Sequence, residues 1–268
     1  MSADSYRKFQ LGKTLTEEQI SFFDQNGYIH FEGFMDSEGI GQIIQAMKDV
    51  QQQWIDSDVK AVNGIPVKYG TDIDGRKMVH RFPFISWHSA YIRDLISDDR
   101  IQALRALVPG SRINENERDG VAINHYVNVQ GSMLRHLGWH TDSVSDIFYG
   151  QRFVRQVIAG LCLDDSTAEN GGLRVIPGTH KQNAFDIFFR KLYLQHNEDK
   201  NEVLLSAKKG DLVIHDGRMW HRVGQSPHIG EQSRRRVLFI ALLNGAYKPK
   251  NEKSKTPLYL KFQDFFDG

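Results

Sequence analysis

The chain has 268 residues, 40% hydrophobic and 25% charged, with a formal net charge of +1. That is the balance of a globular protein with ample core, and it gives no bulk electrostatic reason to expect a nucleic acid or an anionic membrane as partner. No run approaches the roughly 18 apolar residues of a membrane span.

The first ten residues have no apolar core and do not read as a secretory signal. A single cysteine, Cys162, excludes an intramolecular disulfide and suits a reducing compartment. The expectation is a cytoplasmic protein with one domain over residues 1–268, its oligomeric state open.

Thr16-Glu17-Glu18-Gln19 has the form of a capping box. Ile20 and Phe23 follow at helical spacing, and Gly27 ends that helix. Tyr28 to Phe31 reads as a short strand. Asp36 or Ser37 caps a second helix, whose stripe of Ile40, Ile43, Ile44, Met47, Val50 and Trp54 has the 3–4 spacing of a helix packed on one side. Residues 56–90 have weak periodicity and several Gly and Pro. They read as irregular chain bordering a site, with Lys68, His80, Arg81 and His88 scattered through them. Asp98 to Val108 is a third helix, stopped by Pro109-Gly110.

From about residue 120 the texture changes. Val121 to Val129, Arg155 to Leu163, Leu173 to Ile176, Leu212 to Ile214 and Arg235 to Leu243 read as strands. Asn170-Gly171-Gly172, Pro177-Gly178 and Gly210-Asp211 read as turns. Phe185, Phe188, Phe189 and Leu192 mark a helix within 181–197. Helices followed by many short strands predict a mainly β fold with flanking helices. A helical layer over about 15–110 would pack on a β-sandwich or jelly roll over about 120–245.

One short stretch carries chemistry. His140 and Asp142 stand two apart, and on an extended strand such residues point to the same face. Taken alone, the pair is as well read as a polar strand end. With His221 from a later strand it becomes two imidazoles and a carboxylate, the facial donor set of non-haem Fe(II) oxygenases.

The ordered landmarks resemble the phytanoyl-CoA dioxygenase-like family of Fe(II)/2-oxoglutarate oxygenases. They are Leu15 to Gln19 with Phe22-Phe23 and Asn26-Gly27-Tyr28, then Trp139-His140-Thr141-Asp142, then Glu169 to His180. Gly210 to Ile214 follows, with Asp216 to His221 and Arg235 to Phe239. The set runs from about residue 15 to 243, while residues 56–118 match nothing in that pattern. The resemblance implies a double-stranded β-helix (a cupin-like jelly roll). It implies Fe(II) held by His140, Asp142 and His221, with 2-oxoglutarate and O₂ as co-substrates. The implied reaction hydroxylates an unactivated C–H of a small molecule and releases succinate and CO₂.

An arginine on the last strand would pair with the distal carboxylate of 2-oxoglutarate, which a guanidinium fork fits in two-point fashion. Arg234, Arg235 and Arg236 are consecutive, and the link before them is longer than the family's, so spacing does not choose. The match to Arg-Arg-Val-Leu-Phe favours Arg235. Alternation places Arg235 with Val237, Phe239 and Ala241 on one face and the other two arginines on the opposite face. Asn124, Tyr126 and Asn128 share a face on the strand before the metal motif; that strand helps line the co-substrate pocket in the family this chain resembles, which implies that Asn124 and Tyr126 bind 2-oxoglutarate or substrate.

Other polar residues read as structural. His215, six before His221, is expected to be packed or to support the site. His180 reads as a turn histidine bonded to backbone, and His136 as a loop residue near the mouth. Asp211, Asp164 and Asp165 read as turn chemistry, Cys162 as a small buried hydrophobe, and Trp139 and Trp220 as core. Same-fold halogenases lack the carboxylate ligand, so Asp142 disfavours that activity. Desaturation, epoxidation, ring closure, or a non-catalytic metal-bound binding module are the remaining alternatives.

Overall fold

Capping chemistry places the first helices. In this computed structural model, which describes residues 6–129, 138–144, 155–191, 193–257 and 260, α1 (Glu17–Asn26) begins at a complete capping box. The Gln19 N–H donates to Thr16 Oγ1 and the Thr16 N–H donates to Gln19 Oε1. Gly27 closes the helix at φ 80°, a left-handed conformation that glycine adopts without steric penalty. After β1 (Tyr28–Phe31), Asp36 caps α2 (Ser37–Asp56) by accepting from the Gly39 N–H at 2.8 Å. The expected stripe of α2 is buried at Ile40, Ile43, Met47, Val50 and Trp54.

Next come β2 (Ala61–Val62), β3 (Ile65–Pro66), β4 (Lys68–Thr71), β5 (Lys77–Phe82), α3 (Ala90–Leu95) and α4 (Asp99–Ala103). The remaining elements are β6 (Arg112–Ile113), β7 (Ala122–Tyr126), β8 (Gln156–Cys162), β9 (Leu173–Val175), α5 (Ala184–Phe189), β10 (Val203–Leu205), β11 (Leu212–Asp216), β12 (His221–Val223) and β13 (Arg235–Leu243). Among the described residues, β1, β11, β8, β13, β7, β5 and β4 lie side by side in one sheet, with β6 also on β13. The strands pair antiparallel. β10, β9 and β12 form a second antiparallel sheet. Two antiparallel sheets with helices flanking one of them make the jelly roll that the motif order implied.

Alternation along the central strands separates core from cavity. Val157, Ala159 and Leu161 of β8, Leu212 and Ile214 of β11, and Leu238, Ile240 and Leu242 of β13 join the core cluster that includes Phe23, Ile40, Met47 and Trp54. Their neighbours Ile158, Gly160, Cys162, Val213, His215, Val237, Phe239 and Ala241 face a cavity instead. The face predicted for Arg235 is therefore the cavity face.

Three expectations change. Residues 56–90 are not irregular chain: they hold β2 to β5, and β4 and β5 extend the main sheet beyond β7. Met78, Val79, His80 and Phe82 of β5 are all buried, so the strand shows no alternation to read. The segment 15–110 is accordingly a mixed layer, since β1 also joins the main sheet. The helix expected within 181–197 is limited to α5, which starts where the Asn183 side chain accepts from the Asp186 N–H. Leu192 and His136 lie outside the described residues, in which no helix is long and apolar enough to cross a membrane.

Candidate active site

His221 opens β12 and faces His140 across an isolated antiparallel bridge. The His140 N–H donates to the His221 carbonyl at 2.9 Å, and the His221 N–H to the His140 carbonyl at 3.0 Å. Residues paired this way project side chains to the same face, and the two rings stand 4.0 Å apart between centroids. Asp142 joins them differently from the extended strand expected. It begins a 3₁₀ turn over Asp142–Val144, which the Ser143 N–H anchors to the Gly217 carbonyl at 2.9 Å. The turn brings Asp142 Oδ1 to 4.0 Å from His140 Nε2, and Oδ2 to 3.7 Å from His221 Nε2. One ligand atom from each residue lies within 4.8 Å of the other two. Ligands about 2.1 Å from one ion, on one of its faces, stand about 3 Å apart, so small side-chain adjustments seat a metal.

The second ring nitrogens decide the chemistry. His140 Nδ1 lies 2.8 Å from the Gly138 carbonyl and His221 Nδ1 lies 3.0 Å from the Met219 carbonyl. A carbonyl only accepts, so each Nδ1 carries the proton and each Nε2 presents a lone pair to the site. Burial, the largest influence, lowers the pKa of both imidazoles, that of His221 well below its usual value. Burial opposes the charge on Asp142, yet His221, His215 and His140 around it hold its carboxyl far below the usual range. Two neutral imidazoles and a carboxylate are what a divalent transition metal binds without first displacing protons.

Trp139 and Trp220, adjacent to the two histidines, turn away and pack with Ile176. Their indole N–H groups donate to the Asn197 carbonyl at 2.7 Å and the Asp186 carbonyl at 3.2 Å. Core packing is thus their role, and it holds both ligand-bearing segments in place. His215 is the supporting histidine expected: its Nε2–H donates to Asp142 Oδ2 at 3.0 Å and orients the carboxylate.

A cavity of about 220 Å³ opens beside the three side chains, lined by Asn124, Tyr126 and Arg235 among others. Arg234 is tied to Asp72 at 2.7 Å and to Glu231 at 2.9 Å. Arg236 grips Asp164 at 2.8 and 2.6 Å. Arg235 is 7% exposed, and among the described residues no carboxylate pairs with it. Its guanidinium lies over the Tyr126 ring at 5.4 Å and donates to the Asn170 carbonyl at 3.4 Å. Burial lowers its pKa. A buried cation left without a counter-ion is costly, and the cavity in front of it is where an anion would compensate. Gly171 makes room for it: at φ 110°, a Cβ there would stand 2.9 Å from Arg235 Nη1.

The structure brings Asn124 and Tyr126 together, with Asn124 Nδ2 donating to Tyr126 Oη at 3.0 Å. Asn128 instead serves the backbone, donating to the Ser226 and His228 carbonyls. His180 is a buried turn histidine donating to the Asp24 carbonyl at 3.1 Å. Asp211 binds His30 Nε2 and the N–H groups of Gly33 and Lys208. Cys162 is buried, its thiol pushed up to about 12 chiefly by that burial. Arg81 and Arg118 line the cavity as well. In the sequence, no spacing argument marks Arg81 and no motif marks Arg118.

Jelly rolls that present two imidazoles and a carboxylate on one face of a cavity form a recognised class, the mononuclear non-haem iron oxygenases. Residues 23–235 match the family model for phytanoyl-CoA dioxygenase (PhyH). The chain belongs to that family of Fe(II)- and 2-oxoglutarate-dependent enzymes. No curated protein matches it significantly. Similar solved structures include the epimerase SnoN from nogalamycin biosynthesis, in complex with Fe³⁺, alpha ketoglutarate and nogalamycin RO. It has a TM-score of 0.63 at 16% identity, covering 87% of this chain and 86% of that one. The carbocyclase SnoK from the same biosynthesis has a TM-score of 0.63 at 15% identity, covering 94% and 96%. HygX from Streptomyces hygroscopicus, with nickel and 2-oxoglutarate bound, has a TM-score of 0.59 at 16% identity, covering 85% and 86%. At such identities the likeness is one of fold.

Proposed function

We propose that this chain is a single-domain, cytoplasmic Fe(II)- and 2-oxoglutarate-dependent dioxygenase that hydroxylates an unactivated C–H of a small molecule. The observation that carries this reading is the convergence of His140 Nε2, His221 Nε2 and the Asp142 carboxylate at one edge of a cavity. Arg235 lines the same cavity and has no carboxylate partner among the described residues. His140, Asp142 and His221 would hold the iron and leave positions open for other ligands. Bound there, Fe(II) supplies the oxidising chemistry in which 2-oxoglutarate and O₂ yield succinate, CO₂ and an oxidised substrate.

The protein's own share is placement. The Gly138 and Met219 carbonyls fix the two imidazole tautomers, and His215 holds Asp142. Arg235 offers a planar fork for the distal carboxylate of 2-oxoglutarate, with Asn124 and Tyr126 beside it. The apolar walls of Ala122, Ile158, Phe239 and Ala241 exclude water from the reacting centre. Retention of Asp142 supports hydroxylation over halide transfer. The single cysteine, a buried thiol, suits a reducing compartment. A second outcome of the same oxidant is favoured by two structural neighbours, whose names describe an epimerase and a carbocyclase. Stereochemical inversion or ring closure begins with the same hydrogen removal.

Anaerobic Fe(II) and 2-oxoglutarate should give the weak visible charge-transfer band of the chelate, and O₂ should then release succinate. His140→Ala should lose iron binding. Absence of both band and succinate would refute the oxygenase reading, and undiminished iron binding by His140→Ala would refute the ligand set.

A further inference from the structure

A chain of polar contacts runs across the cavity floor from β5 to β13. Arg81 of β5 is the register partner of Asn124 on β7, and Tyr126, two residues on, is the partner of Arg235 on β13. Arg81 Nη1 donates to Asn124 Oδ1 at 2.7 Å, while its Nη2 is held by the Asp119 carboxylate. Asn124 Nδ2 donates to Tyr126 Oη at 3.0 Å. Arg81, Asn124, Tyr126 and Arg235 all line the cavity that the metal-site residues share.

Donor and acceptor chemistry gives this chain one direction. A guanidinium has five N–H donors and no acceptor, so the oxygen of the Asn124 amide must face Arg81. The amide's NH₂ then faces Tyr126, and the phenol oxygen is the acceptor of that bond. The phenol's own proton cannot return to Asn124, and among the described residues no acceptor meets it. An Asn facing no obligate donor would be free to turn over. Its oxygen would then take the phenol proton, and the pair would be satisfied internally.

We propose that Arg81 is a positioning residue: by fixing the orientation of the Asn124 amide, it makes the Tyr126 hydroxyl a hydrogen-bond donor to the carboxylate-bearing co-substrate beside Arg235. This rests on the iron and 2-oxoglutarate reading and deepens it. Arg81 touches no ligand in this role. Its effect is to set the polarity of a neighbour, and Asp119 holds it in place. Tyr126 and Arg235 then recognise the anion together, one with a neutral donor and the other with a charged fork.

The test is the dissociation constant of 2-oxoglutarate for the anaerobic Fe(II) protein, read from the visible band. Tyr126→Phe should raise it about tenfold, the scale of one hydrogen bond to a charged group. Arg81→Gln, whose amide accepts as well as donates and so lets Asn124 turn, should raise it about as much. Arg81→Lys, a donor only, should stay within about threefold of wild type. The decisive measurement is a double-mutant cycle. In a Tyr126→Phe background, Arg81→Gln should have almost no further effect, because no hydroxyl is left to orient.

Multiplying effects in that cycle, or an Arg81→Lys loss as large as that of Arg81→Gln, would overturn the inference. If Arg81→Gln does not fold, Asn124→Asp reads the same coupling. Its side chain accepts from both neighbours, so its effect should shrink by about tenfold in the Tyr126→Phe background, and an unchanged effect would mean simple charge repulsion. A wild-type protein that gives no band overturns the iron and 2-oxoglutarate reading together with the inference. A wild-type protein that binds while the effects multiply overturns the inference alone.

Discussion

Replacing Arg235 should separate ligand binding from folding. The three consecutive arginines sit in different surroundings, so truncating each removes something different. Arg235 is 7% exposed, donates to the Asn170 carbonyl and lies over the Tyr126 ring, with no carboxylate paired to it among the described residues. Two hydrogen bonds from its fork to a carboxylate are each worth about 1.5–3 kcal/mol net, and removing one partner of a buried charged pair costs about 2–5 kcal/mol. A loss of about 3–4 kcal/mol corresponds to a dissociation constant for 2-oxoglutarate raised roughly 10²- to 10³-fold in Arg235→Ala. Arg235→Lys keeps the charge without the planar fork and should fall between that variant and wild type.

Arg236 instead grips Asp164, the two side chains being 12% and 20% exposed, and the Arg236 N–H donates to the same carboxylate at 2.8 Å. Arg236→Ala should therefore lower stability by about 1–3 kcal/mol and leave the 2-oxoglutarate affinity within about threefold. Anaerobic titration of the visible band gives the affinities, and urea unfolding gives the stabilities. A larger affinity loss in Arg236→Ala or Arg234→Ala than in Arg235→Ala would refute the assignment.

Two other outcomes follow from named contacts. His125 is buried, and its Nε2 accepts from Arg234 at 2.6 Å; burial first, then Arg234 and Arg236, pushes its pKa down to about 3. Between pH 6.5 and 3 the unfolded imidazole binds a proton that the folded one refuses. Stability is therefore lost as pH falls through that window, by about 1.4 kcal/mol per unit from this residue. His80, His88 and His180, whose pKa values burial also lowers, add to the same slope. His125→Gln should flatten the acid limb in urea unfolding between pH 6 and 4, and an unchanged slope would exclude His125 as a contributor. Gly171→Ala places a methyl group against Arg235 Nη1 and the Gly224 carbonyl at a φ of 110°. Strain of about 1–3 kcal/mol should raise the 2-oxoglutarate dissociation constant about tenfold while iron affinity holds, and an unaltered constant would show that Arg235 is not confined there.

Local chemistry was legible in the chain. The Thr16–Gln19 capping box, the Gly27 stop, the α2 stripe and the β13 alternation all follow from hydrogen bonds and periodicities within a few residues, so the sequence displays them directly. The metal-site residues were legible through their ordered motifs, although not the turn at Asp142 that makes them converge. The strand β5 was hidden because burial on both faces erases alternation, and β4 because none of its four residues is buried, which leaves no apolar pattern to read.

What only the tertiary structure decided lies in contacts between residues distant in the chain. Arg234 meets Asp72 across 162 positions, Arg236 meets Asp164 across 72, and His215 meets Asp142 across 73. Sequence alone separated Arg235, by strand alternation, from Arg234 and Arg236 on the opposite face. Only the fold, by supplying carboxylates to its two neighbours, left Arg235 facing the cavity with no carboxylate partner among the described residues. Arg81 is the same case: its meaning depends on register with Asn124, 43 positions away on a strand that no tight turn joins to its own.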